Sequence, residues 1–317
     1  MYVATDLHGH TRFSDGRATP EEYVDLRREL GMRVIAITDH DVFTGVRRGA
    51  AAASAAGLVL VPAAEITAFF HFGERSAEQV HVLAYFSPDV LVSGRLERTF
   101  LYRRGQRVQQ KWRDFVMGWL SSLPRDARDA LDPDMELGRL PTAEFPALQT
   151  MIDRIVLRAR PLYEPFRDHH VRFWEGDRET FGWTPEEAIE AIRGDGAIDV
   201  VAHPARYRDK EATAALLYRA TGLEVYTSRH KEEVCNEVPP VRRGQREAVD
   251  GVGGRSPERA LRAPTVRLAG PERGAHPPAT AADVDDPGRL ILGRRRRVER
   301  AALLGDAGGR GLHGQEC

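Results

Sequence analysis

Asp6-Leu7-His8-Gly9-His10-Thr11 closes the first apolar run of the chain, and Ser14-Asp15-Gly16 follows within one loop's length. In an extended strand the side chains at i and i+2 leave on the same side, so His8 and His10 can present two imidazoles to one ion while Leu7 turns into a core. Asp15 adds a carboxylate from the next turn, where Gly16 supplies the backbone freedom to bend it back. Taken alone, the triplet fits a ligand pair and two polar residues at a strand end about equally well.

The same arrangement recurs along the chain. Val34-Ile35-Ala36-Ile37 is a β-branched run ending in Thr38-Asp39-His40-Asp41. Leu58-Val59-Leu60-Val61-Pro62 delivers Glu65 just beyond its end, Val80-His81-Val82-Leu83-Ala84-Tyr85 carries a histidine inside an apolar strand, and Ile198-Asp199-Val200-Val201-Ala202 ends at His203-Pro204. Each run is short, continuous and apolar, as strands buried on both faces of a parallel sheet read. A barrel or open sheet of parallel strands gathers its carboxyl ends on one face, so these distant polar residues are expected around one pocket. One such histidine would be a satisfied core or loop residue; repeated coincidence argues for a site.

Helices separate the strands. Thr19-Pro20-Glu21-Glu22 is a capping box with proline at the first helical position, followed by Tyr23, Leu26 and Leu30 as an apolar stripe that Gly31 ends. Thr184-Pro185-Glu186-Glu187 repeats the device ahead of Ala188, Ile189 and Ile192, and an alanine-rich helix is expected from Gly45 to Gly57. Strand and helix in alternation predict an α/β architecture with right-handed crossovers.

These residues resemble a known family. The stretch from Asp6 to Tyr85 is similar to the polymerase and histidinol phosphatase (PHP) domain, in its branch of small metal-dependent phosphoesterases. The resemblance rests on the His8/His10 motif, Ser14-Asp15-Gly16, Thr38-Asp39-His40-Asp41, Glu65-Ile66-Thr67, the valine-flanked His81 and Ala202-His203-Pro204, all in the family's order. It implies a distorted (β/α)7 TIM-like barrel whose strand ends hold two or three divalent metal ions. It also implies His8, His10, Asp15, His40, Glu65, His81 and His203 as their ligands. His71 reads as a loop residue.

Mixed imidazole and carboxylate donors suit manganese, zinc or iron better than calcium. Two ions about 4 Å apart can share a water, bring its pKa near neutrality and clamp the oxygens of a phosphoryl group during in-line attack. Hydrolysis of a phosphate ester is the expected reaction. No Gly-x-Ser-x-Gly elbow and no phosphate-cradling Gly-rich loop competes with it. Arg206 and His230 are placed either to touch a substrate phosphate or to lie on the surface.

Composition agrees with this reading. The 317 residues can bury a barrel core and leave room for an inserted element, and a net charge of -1 argues against a bulk nucleic-acid or membrane binder. A polar start and the lack of a long apolar run argue against a signal peptide and a membrane span. Two cysteines, Cys235 and Cys317, cannot build a disulfide framework, so a cytoplasmic enzyme is expected, with a small phosphorylated substrate or short oligonucleotide as partner and no stable protein partner.

The barrel is expected over residues 1–87 and 184–234, interrupted by a mainly helical insertion at 88–183. Leu96, Phe100, Val108, Trp112, Phe115 and Trp119 recur at helical spacing between Gly94 and Leu123, and a second helix is expected from Phe145 to Arg160. Arg95, Arg98, Arg103, Arg104, Arg107, Lys111 and Arg113 on the first helix read as a solvated face, or as a guide for a nucleotide. Phe173, Trp174 and Trp183 read as packing against the barrel. Residues 235–317 are Gly/Pro/Arg-rich and atypical: after Tyr226 there is no aromatic Phe, Trp or Tyr and after Lys231 no lysine. Such a segment reads as a disordered tail or a shifted reading frame that would leave the barrel without its closing strands. The family's final Gly-Ser-Asp-x-His, with two further ligands, has no counterpart here, and Leu303-Leu304-Gly305-Asp306 and Leu312-His313-Gly314 echo it only faintly.

The expected function is therefore metal-dependent hydrolysis of a phosphate ester of a nucleotide, an oligonucleotide end or a small metabolite. Two alternatives stand beside it: an inactive metal-binding remnant lacking the last ligands, with feeble turnover at most, and a histidinol-phosphate phosphatase. Fold alone does not choose among substrates.

Overall fold

β2 (Val34–Ile37) pairs in parallel with β1 (Thr5–Asp6) on one side and with β3 (Val59–Phe70) on the other. The computed structural model describes residues 4–225, so His230 and the tail expected from residue 235 onward lie outside the described residues. β3 then turns back as β4 (Glu78–Tyr85), antiparallel, and β4 pairs antiparallel with β5 (Ile198–Val201). Parallel pairing resumes between β5 and β6 (Gly222–Leu223), giving one curled six-stranded sheet in the order β1-β2-β3-β4-β5-β6. The α/β class is as expected, whereas parallel pairing throughout is not what forms. β3 and β4 are joined by only seven residues, 71–77, too few for the helical crossover that a parallel pair requires.

The two faces of the sheet differ in chemistry. Along β3, Leu60, Ala64, Ile66, Ala68 and Phe70 point one way, and with Val80, Val82 and Ala84 of β4 they form the main hydrophobic core under the helices. Glu65 and Thr67 of β3 and His81, Leu83 and Tyr85 of β4 alternate with them and share the other face. Register sets Thr67 opposite His81 and Glu65 opposite Leu83, so Glu65 and His81 are diagonal neighbours across the hairpin.

α1 (Pro20–Glu29) begins with the expected capping box: Thr19 Oγ1 accepts from Glu22 N at 3.2 Å and the Glu22 carboxylate accepts from Thr19 N at 2.8 Å. Its buried face is Pro20, Tyr23 and Val24, while Leu26 and Leu30 of the expected stripe are 46% and 48% exposed. The inward position one turn after Tyr23 and Val24 belongs instead to Arg27, which lies 4.2 Å over the Tyr23 ring and donates to Asp6 at 2.8 Å. α2 (Thr44–Ala55) is the alanine-rich helix.

Between β4 and β5 the chain is helical, with its own apolar cluster around Trp112, Val116, Trp119, Leu131, Phe145, Met151 and Phe166. The first long helix starts at Phe100 rather than Gly94, because Thr99 caps it by accepting from Tyr102 N; Leu96 sits on a preceding 3-10 turn. The second runs Leu148–Arg158 rather than from Phe145, since the residue before Pro146 is held extended. Trp183 stacks on Phe100 and packs against the main core, and Phe173 and Trp174 pack with Phe181 beside Phe13 and Val42. Among the described residues no helix is long and apolar enough to cross a membrane.

The arginine run is not one solvated face. Arg104 is 2% exposed, donating to Asp41 Oδ1 and to the Thr180 carbonyl, both at 2.6 Å, with its guanidinium 4.0 Å over the Trp183 ring. Lys111 pairs with Asp177, and Arg113 donates to the Gly138 carbonyl at 3.1 Å. Breaking a buried pair strands the surviving charge, so Arg104→Met is expected to cost about 3–5 kcal/mol in urea denaturation. Asp41→Asn combined with Arg104→Met should recover part of that loss; a single Arg104→Met as stable as the parent would contradict this account.

Candidate metal centre

Glu65 is 1% exposed, on the polar face of β3, and five imidazoles surround it. Its Oε2 lies 2.9 Å from His8 Nε2, 3.1 Å from His10 Nε2 and 3.7 Å from His40 Nδ1, while Oε1 lies 3.0 Å from His81 Nδ1 and 3.1 Å from His203 Nε2. Asp15 completes the group, with Oδ1 3.2 Å from His10 Nδ1 and Oδ2 3.7 Å from His40 Nε2.

Backbone pairing explains why these groups meet. The first strand ends at Asp6, yet Gly9 stays tied to the residue after β2: Thr38 N donates to the Gly9 carbonyl at 2.9 Å and Gly9 N donates to Thr38 Oγ1 at 3.1 Å. His8 and His10 both turn toward Glu65 Oε2, with ring centroids 5.2 Å apart. Beyond β2 the chain makes a parallel bridge between His40 and Glu65, with Asp41 N donating to the Glu65 carbonyl at 3.0 Å. Asp39 is buried and ties down the first loop, accepting from Thr11 N and Oγ1 at 2.7 Å each and from Ser14 Oγ at 2.8 Å. Gly16 is required by close approach rather than by unusual dihedral angles: a Cβ there would meet the His10 carbonyl oxygen at 2.3 Å.

All seven residues expected as ligands come together, although Glu65 and His81 sit within strands and not at their carboxyl ends. The antiparallel hairpin aims them at the same space by facing rather than by strand termination. Arg206 lies exposed on the 3-10 turn after His203, and His71 is an exposed turn residue paired with Asp209 at 3.1 Å. Glu224, Tyr85 and Tyr207 were not singled out from the sequence. Glu224 faces both His8 and His203; Tyr85 donates to the Leu7 carbonyl at 2.8 Å; Tyr207 donates to the Ala202 carbonyl at 2.8 Å and accepts from His81 N at 2.9 Å. Gly222-Leu223-Glu224, a short strand followed by an acid, carries the same pattern as the other runs and is the signal that could have found it.

The electrostatics suit cations. Burial would push the Glu65 carboxyl up, but His8, His81 and His40 hold it well below the usual range. Burial lowers His8 and His40, and the facing carboxylates outweigh it: Glu65 and Glu224 raise His8 to about 10, and Glu65 and Asp15 raise His40 to about 9. For His81 burial wins, lowering it to about 4, and it lowers His203 as well. His81 Nδ1 and His203 Nε2 face each other at 3.3 Å, and His40 Nδ1, His81 Nε2 and His203 Nδ1 are buried with no hydrogen-bond partner. Several imidazole nitrogens converging on one carboxylate, some unable to carry protons, form a donor set that fits divalent transition metals. Three overlapping triads, His8/His10/Glu65, His10/Asp15/His40 and His40/Glu65/His81, each bring their donor atoms within 4.8 Å of one another.

Residues 6–117 match the domain model of the PHP family. This stretch is similar to PHP domains. Two relatives are similar over about two thirds of the chain. The 5'-3' exoribonuclease Rnm of Salmonella typhimurium is 26% identical over 219 residues, 65% of this chain and 67% of the relative. The 3',5'-nucleoside bisphosphate phosphatase of Chromobacterium violaceum is 25% identical over 203 residues, 64% of this chain and 67% of the relative. A solved structure from Bifidobacterium adolescentis, described as a metal-dependent phosphoesterase, shares 26% identity with a TM-score of 0.49, covering 74% of this chain and 81% of that one. The PHP match includes His8, His10, Asp15, His40, Glu65 and His81, and ends inside the first long helix of the segment between β4 and β5.

Metal uptake at this centre should displace protons, because the carboxylates facing His8 and His40 raise both above neutrality and each must give up a proton to coordinate. Manganese affinity is thus expected to rise from pH 6 toward pH 9, and calorimetry in buffers of different ionisation enthalpy should register net proton release. His8→Ala with His10→Ala should remove most bound manganese or zinc by elemental analysis. Metal content equal to the parent in that double variant would show the site to be elsewhere.

Proposed function

We propose that the chain is a metal-dependent phosphoesterase acting on a nucleotide or an oligonucleotide end, with a PHP barrel interrupted by a helical insertion over residues 88–183. The observation that carries the reading is the buried Glu65 ringed by five imidazoles with Asp15 beside them. His8, His10, Asp15, His40, Glu65, His81 and His203 would hold two or three manganese, zinc or iron ions. When bound, such ions act as Lewis acids that generate a nucleophile from water at neutral pH and neutralise charge developing on a phosphoryl group.

The chain's own part is to fix the donors. Asp39 locks the loop bearing His10 and Asp15, the His40–Glu65 bridge sets the spacing of two ligands, and Tyr207 holds β4 against the turn bearing His203. Arg206 is exposed beside the site and its side chain makes no hydrogen bond or ion pair among the described residues, so its guanidinium is available to a substrate phosphate. The two relatives named above, an exoribonuclease and a nucleoside bisphosphate phosphatase, support nucleotide chemistry over histidinol phosphate.

The test is a panel with manganese: a nucleoside 3',5'-bisphosphate, a short 5'-phosphorylated oligoribonucleotide and histidinol phosphate. Release of phosphate or nucleotide from the first two, abolished by His40→Ala, is the expected outcome; preference for histidinol phosphate would overturn the substrate assignment. Metal uptake without turnover on all three would favour the remnant reading. Arg206→Ala should raise KM roughly tenfold or more with little change in kcat, the loss of a charge-assisted phosphate contact.

A further inference from the structure

Glu224 follows β6 directly, and its backbone N–H donates to the Val201 carbonyl at 2.9 Å, extending the pairing with β5 by one residue. Its side chain is 3% exposed and both carboxylate oxygens are taken: Oε1 lies 3.1 Å from His8 Nδ1, and Oε2 accepts from the backbone N–H of His203 at 2.9 Å. One acid thus engages two ring-bearing residues from opposite ends of the described chain. We propose that Glu224 is a positioning residue of the metal centre, which fixes His8 as the Nδ1–H tautomer, presents its Nε2 to the ions, and pins the backbone turn that carries His203. The inference rests on the metal-dependent reading above.

The ring chemistry supports this role. A neutral imidazole donates from one nitrogen and accepts at the other, so the group facing each nitrogen decides the tautomer. His8 stands between two carboxylates, with Nδ1 toward Glu224 and Nε2 toward Glu65 at 2.9 Å. Glu65 is surrounded by the other imidazoles, whereas the side-chain hydrogen bonds of Glu224 among the described residues go to His8 and to the His203 backbone. With Nδ1 facing Glu224, Nε2 is the ring nitrogen directed at Glu65 and the group of imidazoles around it. His203 adopts φ 32 and ψ 54, a left-handed conformation uncommon outside glycine that histidine adopts more readily than most residues. Glu224 supplies the acceptor for the N–H of this turn, one of the contacts that fix its backbone and with it the position of the ring.

Carboxylates that orient a ligating histidine typically contribute 10- to 100-fold to metal affinity. The experiment compares the full chain with Glu224→Ala and Glu224→Gln by manganese titration, metal-free thermal melting, and nitrogen-15 NMR of the zinc-loaded histidines. Glu224→Ala should weaken manganese binding about 10- to 100-fold. Glu224→Gln, close in volume but neutral, should fall between the two and melt near the parent temperature. In the zinc-loaded parent, His8 should show a protonated Nδ1 and a metal-bound Nε2, and in Glu224→Ala that single pattern should give way to a mixture. If Glu224→Ala does not fold, Glu224→Gln decides the matter. Parent-like affinity in Glu224→Gln, or a His8 bound through Nδ1, overturns the inference while leaving the metal reading intact. A parent chain that takes up no manganese or zinc overturns the metal reading and this inference with it.

Discussion

A buried carboxylate needs compensating charge or it neutralises, and in this protein that requirement falls on Glu65. Placed in the middle of β3 on the polar face of the sheet, it is nearly inaccessible to water and is surrounded by His8, His10, His40, His81 and His203. The arrangement is costly as a purely structural device. Several imidazoles crowd one another, three ring nitrogens are left without partners, and full protonation of the set would assemble like charges within a few ångströms. A group of donors that protons cannot satisfy together is the natural counterpart of divalent cations, and the fold around it is organised to keep those donors in place.

That organisation reaches into the helical segment between β4 and β5. Asp41, next to His40, has a positive φ of 59° and gives one oxygen to both the Arg104 guanidinium and the Thr67 N–H. Arg104 in turn holds the Thr180 carbonyl and lies over Trp183. A Cβ on Gly105 would meet the Asp41 carbonyl oxygen at 2.6 Å, so the helix packs backbone against backbone on the loop that carries His40. The Phe13, Val42, Val108 and Phe181 cluster binds the same helix to the loop between His10 and Asp15. The segment that interrupts the strands is thereby part of the support for the two loops that carry His10, Asp15 and His40.

Much of this was legible in the sequence for a local reason. Short apolar runs ending in His or Asp report strands and the residues they deliver, and capping boxes at Thr19 and Thr184 report helix starts, because each signal is complete within a few residues. The seven ligand candidates were visible in that way. The antiparallel course of β4, the inward turn of Arg104 and the exposure of Leu26 and Leu30 were not, since each depends on what lies opposite in space. An arginine in a basic run and an arginine closing a buried ion pair have the same local spacing.

The sequence by itself determined the alternation of strands and helices, the residue types at the centre and their order along the chain, because these follow from periodicity and from the chemistry of single side chains. Only the tertiary structure decided which way each donor faces. The register of β3 against β4 places Glu65 and His81 on one face, the bridge between His40 and Glu65 sets their spacing, and the end of β6 brings Glu224 against His8 from 216 residues away. Such pairings are stabilised by burial and hydrogen bonding between segments whose separation along the chain carries no local signature, so they appear only when the sheet is assembled.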